Sequence, residues 1–304
     1  MIEILLATYN GASYLKEQLD SIFAQTFQNF KVIARDDGST DNTIEILEQY
    51  KQKFPEKLIY YKNEVPTGNA KDNFFLLMQD AAADFVCFCD QDDVWLPEKL
   101  EVTYRKMQTL DMSKPALVHT DLKVVDKDLN ILHNSFFRMQ HFHTVDKTPL
   151  NRILAQNVVT GCTVMINKPL LELAVSSNNN GIIMHDWWLG ILASAFGSVS
   201  AVKQPTMLYR QHGSNSLGAR SFWKSFRIFN DKKASGMALD RTFLQAGAFK
   251  DTFCDKLSNE IINPITEFSN IKSYPCKYKR LKIILKNRFL KQSVIRKLAQ
   301  LIRI

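Results

Sequence analysis

The 304-residue chain predicts an α/β fold, a mostly parallel central sheet flanked by helices and followed by a helical C-terminal extension. Three observations carry this. Over the first hundred residues, short apolar runs alternate with segments of helical period, the pattern that builds a parallel sheet with helices on both faces. Polar clusters recur just past the apolar runs, where such sheets place their ligand crevice. After about residue 216 the strand signals stop and only helical patterns continue.

In order, the pattern predicts strand 2–7, helix 12–26, strand 30–35, helix 41–53, strand 57–61, helix 70–81, strand 84–89 and helix 97–109, a βαβαβαβα series. The second half reads differently, with longer strands at 116–125 and 199–209 separated by helices at 148–156, 168–176 and 185–195. Val158 to Met165 reads as a turn entering a strand, with Gly161 admitting a close backbone approach. Residues 219–270 read as Phe- and Lys-rich helices, and 278–303 as one basic amphipathic helix. The expected division is therefore a catalytic unit over 1–216 and a helical extension over 217–304.

The charge is uneven. Of 39 Lys and Arg, ten fall in 277–304, which holds no Asp or Glu; the remainder has 29 basic and 31 acidic residues and is nearly neutral. That argues against a nucleic-acid-binding surface and for a local basic device. In the last helix Leu281, Ile284, Leu285, Val294, Ile295, Leu298, Leu301 and Ile302 lie at helical spacing among basic residues. This suits peripheral contact with an anionic membrane, packing on the catalytic unit, or contact between two copies in a homodimer. Cys87, Cys89, Cys162, Cys254 and Cys276 show neither zinc spacing nor a disulfide framework. With no signal peptide and no membrane-spanning run, the expected location is cytoplasmic, at the inner face of the cell membrane.

The chemistry concentrates in polar clusters. Cys87-Phe88-Cys89 runs straight into Asp90-Gln91-Asp92-Asp93, three carboxylates in four residues whose mutual repulsion a divalent cation would relieve. A capped turn, with Asp93 as helix N-cap, is the plainer alternative. Thr8-Tyr9-Asn10-Gly11 follows the first strand and Asp36 to Asp41 the second. Pro66 to Asn73, with Lys71 near a helix start, suits a phosphate. In Met184-His185-Asp186-Trp187-Trp188, apolar surroundings would raise the basicity of Asp186, while Trp187 and Trp188 offer faces to a sugar ring. Tyr209-Arg210-Gln211-His212-Gly213-Ser214-Asn215 ends a strand with a possible metal ligand, His212, and a possible diphosphate contact, Arg210.

Together these motifs, over roughly residues 1–216, resemble family 2 glycosyltransferases, inverting enzymes of the GT-A fold, and within them the bacterial rhamnosyltransferase-like branch that builds surface polysaccharides. The resemblance implies that Thr8, Tyr9, Asn10, Asp37, Lys71, Asp90 and Gln91 hold a nucleotide sugar, with dTDP-L-rhamnose favoured. It implies that Asp92 and His212 hold Mg²⁺ or Mn²⁺ and that Asp186 is the base. Trp187 and Trp188 would hold a glycan acceptor, free or lipid-linked. The family's acceptor-base motif is commonly Glu-Asp; here it is His185-Asp186, so only the base carries over. A UDP-sugar donor, a metal-dependent nucleotidyltransferase and a non-catalytic membrane scaffold are the competing readings.

Overall fold

The computed structural model describes residues 1–177, 180–212 and 232–304. The expected 216/217 boundary, the end of the 209–215 motif and the first part of the 219–270 helices lie outside the described residues.

Strands β1 (Ile2–Thr8), β2 (Phe30–Asp36), β3 (Leu58–Lys62) and β4 (Phe85–Cys89) pair in parallel in the order β3-β2-β1-β4. Helices α1 (Leu15–Phe23), α2 (Thr43–Lys53) and α3 (Ala70–Asp80) connect them. All seven residues of β1 are buried, as a central strand covered on both faces requires. Its side chains alternate: Ile2, Ile4 and Leu6 enter one apolar layer with Leu15 and Leu19 of α1, while Leu5 and Ala7 enter the other with Phe74 and Leu77 of α3.

The chain continues through β5 (Val94–Trp95), α4 (Lys99–Met107), β6 (Ala116–Val125), β7 (Ile131–His133), α5 (Phe136–Met139) and α6 (Leu150–Ala155). Then follow β8 (Met165–Asn167), α7 (Lys168–Val175), α8 (His185–Phe196) and β9 (Ser198–Arg210). β8 joins β4 antiparallel, β6 joins β8 antiparallel, and β9 runs parallel to β6. Two reversals restore the original direction, so β9 ends at the same sheet edge as β1, β2 and β4. That brings Arg210 and His212 to the loops of the first half. The short β5, β7 and α5 were not expected, because two to four residues are too few to show a period.

The C-terminal part forms α9 (Lys232–Phe253), α10 (Asn259–Ser269), α11 (Lys277–Lys286) and α12 (Val294–Arg303). It shares a core with the sheet: Phe243, Phe249, Phe253 and Phe268 pack in the same layer as Trp188 of α8. The single helix expected over 278–303 is two. Between them Phe289 is buried and stacks on Phe268 at 4.2 Å, Arg288 (φ 54°) and Ser293 (φ 65°) take left-handed conformations, and the Ser293 side chain caps α12 at the Arg296 N–H. Anchoring one aromatic in the core breaks the helix there.

Candidate active site

Much of the sheet-edge machinery holds itself together. Thr8 donates its hydroxyl to Asp36 Oδ2 (3.0 Å). Asn10, in a left-handed conformation (φ 47°), donates its N–H to Ser39 Oγ and accepts the Thr40 N–H, both at 2.8 Å. The Gln91 amide spans the backbone of Tyr9, accepting its N–H at 2.8 Å and donating to its carbonyl at 2.9 Å. Gly11 makes room for this, since a Cβ there would lie 2.2 Å from Gln91 Oε1. The side chains of Thr8, Asn10 and Gln91 thus tie three loops together, and the Tyr9 ring is what they present, 57% exposed.

Asp37 is equally engaged. One oxygen accepts from Asn63 Nδ2 and the Thr67 N–H, both at 2.7 Å; the other accepts from Thr67 Oγ1 (3.0 Å) and the Gly68 N–H (2.9 Å). It organises the loop that precedes α3. On that loop Lys71 pairs with Asp72 at 3.1 Å and, with Gly68, Asn69, Ala70, Ile183 and Met184, lines an open cleft of about 420 Å³.

The carboxylates divide by surroundings. Burial, then the charges of Asp92 and Asp186, push the Asp90 carboxyl up to about 7. Asp93 is fully buried, accepts the Arg210 N–H at 3.0 Å and is held well above the usual carboxylate range by burial. It does not cap α4, whose N-cap is Glu98. Asp92 turns the other way and meets His212 Nε2 at 2.8 Å, across 120 positions of sequence. The diphosphate contact expected of Arg210 is corrected: this side chain is 2% exposed and braces the acidic loop. Its Nε donates to the Asp92 carbonyl (2.8 Å), its Nη1 to the Lys127 carbonyl (2.7 Å) and its Nη2 to Glu17, and the guanidinium lies 4.7 Å over the Tyr14 ring. Tyr14 also packs on His212, with ring centroids 4.7 Å apart.

Asp186 sits in the first turn of α8, buried, with Oδ1 accepting from Asn157 Nδ2 (3.2 Å) and from the Trp187 N–H (2.6 Å). Burial raises its carboxyl to about 6 against the pull of these bonds. The approach expected at Gly161 is found here: a Cβ would stand 2.9 Å from His185 Nε2 and 3.6 Å from Asp186 Cβ. His185 itself is buried between Phe74 and Phe88 (ring centroids at 4.1 and 5.2 Å), and desolvation drives its pKa down to about 3, so it is neutral.

The two indoles part company. Trp187 is half-buried and donates Nε1–H to the Ile153 carbonyl. Trp188 is wholly buried, bonded to Ser177 Oγ at 2.9 Å and packed against Phe249 and Phe253, so the acceptor contact expected of it is corrected to a core role. Adjacent helical positions point about 100° apart, and the helices laid over α8 reach one face fully and the other in part. Asn157, Tyr14 and Cys162 escaped the sequence reading. Cys162 places its sulfur among Asp90 and Asp93, with ligand atoms of the three within 4.8 Å of one another.

The donor set of Asp92 and His212, with Asp90 adjacent, suits a divalent cation that takes oxygen and imidazole ligands. Asp90 is raised first by burial and then by the charges of Asp92 and Asp186, and it is this repulsion that such a cation would offset.

Loops converging on carboxylates at the carboxyl edge of a parallel half-sheet form the ligand crevice of an α/β fold, and the fold here is that of GT-A glycosyltransferases. The chain belongs to glycosyl transferase family 2, whose family model matches residues 3–172. It is 30% identical over 233 residues to the dTDP-rhamnosyl transferase RfbG of Shigella flexneri, covering 72% of this chain and 76% of that one. In fold it is similar to S. aureus TarS 1–349 in complex with UDP-GlcNAc (TM-score 0.57, 17% identity, 93% of this chain and 81% of that one). It is also similar to the mannosyltransferase PcManGT of Pyrobaculum calidifontis in complex with GDP-Man and Mn²⁺ (TM-score 0.52, 15% identity, 94% and 86%).

Proposed function

We propose that this glycosyltransferase moves L-rhamnose from dTDP-L-rhamnose to a hydroxyl of a glycan acceptor, lipid-linked in the cell, with inversion at the anomeric carbon. The observation that carries the mechanism is Asp186: a buried carboxylate with its pKa raised to about 6, fixed by Asn157 and the Trp187 N–H, and close enough to Asp90 to shift it. A base so placed is ionised at neutral pH yet basic enough to take the acceptor proton as the oxygen attacks. Attack from the face opposite the leaving diphosphate inverts the centre, turning a β-linked donor into an α-L-rhamnosyl product.

The other residues supply binding. The exposed Tyr9 ring offers a stacking face to the base, Lys71 a cation to phosphate, and Asp90 an acceptor to ribose. Asp37, Asn10, Thr8 and Gln91 hold the loops that shape this pocket, and Trp187 flanks Asp186 on the acceptor side. Mg²⁺ or Mn²⁺, held by Asp92 and His212, supplies charge neutralisation to the diphosphate when bound; the Mn²⁺ in the PcManGT complex supports a metal in this fold. The name of RfbG supports the rhamnosyl donor, and the UDP-GlcNAc complex of TarS supports a UDP-sugar as the second reading.

Thermal-shift titration with dTDP-L-rhamnose, UDP-GlcNAc and GDP-mannose in the presence of Mn²⁺ tests the donor. A donor at 100 times its Kd stabilises by about 2.7 kcal/mol. Stabilisation by dTDP-L-rhamnose supports the proposal, and selective stabilisation by either other donor overturns it. The proposed place of action is the cytoplasmic face of the cell membrane, in contact with anionic lipid.

A further inference from the structure

The helical hairpin α11–α12 exposes apolar side chains where a surface helix ordinarily exposes charge. On α12 the exposed residues are Val294 (71%), Ile295 (57%), Leu298 (54%) and Ile302 (70%), all apolar and all on one face. Its inward side instead carries Ala299 and Gln300, with Gln300 bonded to the Phe289 carbonyl and the Lys291 N–H. Single exposed aliphatic residues are commonplace; a whole helix face of them marks a contact surface. Lys277 Nζ reaches back to the Ile302 carbonyl (2.8 Å), so α11 lies antiparallel beside α12. Exposed Lys279, Lys282, Lys286 and Arg288 thereby flank the apolar face, and no acidic residue occurs from 277 to 304.

We propose that this face is a docking surface for an anionic lipid bilayer, with α12 lying in the headgroup plane and the α11 lysines against lipid phosphates. Charge complementarity selects this occupant. An apolar stripe on a hairpin whose own charged residues are all basic fits a negatively charged lipid surface, whereas a second copy of the same basic hairpin would meet it with like charge. Among the described residues no helix is long and apolar enough to cross a membrane, so the contact is peripheral.

The hairpin is also fixed to the catalytic centre. At its bend Gln292 Oε1 accepts the His143 and Thr144 N–H groups (2.7 and 2.9 Å), and the Gln292 N–H donates to Gln156 Oε1 (2.6 Å). Arg152 Nη1 donates to the Leu290 carbonyl at 3.0 Å. Gln156 adjoins Asn157, which holds Asp186. The lipid surface and the base are thus borne by one braced segment, which sets the distance from bilayer to acceptor site. This deepens the proposed lipid-linked acceptor and rests on that reading for its purpose, not for its test.

The test is flotation of the full chain with phosphatidylcholine vesicles containing or lacking phosphatidylglycerol, alongside a variant carrying Val294→Ser, Ile295→Ser, Leu298→Ser and Ile302→Ser. All four positions are exposed and outside the active site, so an unchanged melting temperature shows that the variant is folded. The expected result is flotation only with phosphatidylglycerol, weakened by salt, and a loss of about 100-fold or more in partition for the variant. No flotation of the wild type, or equal flotation of the variant, overturns the proposal. A concentration-dependent dimer that the variant dissolves, without vesicle binding, gives the face to a second copy instead. A chain that floats but is not stabilised by dTDP-L-rhamnose keeps the surface and removes the rhamnosyl reading.

Discussion

Replacing Asp186 with Asn should cut transfer by orders of magnitude and, at neutral pH, make the protein more stable. The carboxyl is raised from 3.8 to about 6, chiefly by burial. A folded-state pKa above the unfolded value means that the fold holds the neutral form. Its stabilising contribution is complete below about pH 4 and is lost as pH rises through about 6. About two pH units correspond to about 3 kcal/mol at pH 8. Asparagine never ionises, so the variant escapes that loss. It keeps an oxygen to accept from Asn157 and Trp187, while the hydrogen bond from the Gly161 N–H is forfeited at about 1 kcal/mol. The net gain at pH 8 is about 2 kcal/mol, or roughly 4 °C in melting temperature for a chain of this size, and at pH 4, where the wild-type carboxyl is neutral, it gives way to a deficit of about 1 kcal/mol from the lost bond. Melting curves of both proteins at the two pH values, in EDTA, measure it. Transfer should fall by about 10²- to 10⁴-fold, and in the wild type it should rise with pH through about 6. A variant less stable than wild type at pH 8 would refute the claim that Asp186 is a desolvated charge, and near wild-type transfer would refute its role as base.

Three further outcomes follow from the same geometry. Asp92→Ala or His212→Ala should weaken Mn²⁺ binding, read by calorimetry or by Mn²⁺ electron paramagnetic resonance, by at least about tenfold each, and unchanged binding would move the metal elsewhere. Gly11→Ala drives a methyl group into Gln91, so it should free the Tyr9 backbone and raise the donor KM at a stability cost of about 1–3 kcal/mol in urea unfolding. Trp188→Ala should destabilise by about 3–5 kcal/mol, whereas Trp187→Ala should chiefly raise the acceptor KM; the reverse pattern would exchange their roles.

What was legible in the sequence follows from where the physical constraint is local. Strands β1 to β4 and their helices announce themselves because each is long enough to show a period and is bounded by turn residues. The split of the last helix was not legible, because both halves keep an amphipathic pattern and only the tertiary stacking of Phe289 on Phe268 breaks it. Nor were β5 and β7, which exist through pairing with β9 and β6.

The candidate site shows the same limit more sharply. Residue type drew attention to the acidic cluster and to Asp186, because three carboxylates in four residues and a carboxylate set among aromatics need a chemical reason. It did not distinguish a side chain that reaches into the crevice from one that holds the loop beside it. Asp37 with four hydrogen bonds, Gln91 clasping Tyr9 and Arg210 beneath the acidic loop are placed by partners 26 to 193 positions away. Such bonding is how a crevice lined by loops keeps a fixed shape: each loop is tied to another by polar bonds, buried at Asp36 and Asp37 and exposed at Gln91 and Asn10. Tyr9, Lys71, Asp90, Asp92, Asp186 and His212 are therefore where substitution should alter binding or chemistry. At Thr8, Asn10, Gly11, Asp37, Gln91 and Arg210 it should alter the precision with which the first set is held. Loosening of that kind is read in KM where misplaced loops weaken the ground state and the transition state alike, and in kcat where the reacting groups lose their alignment.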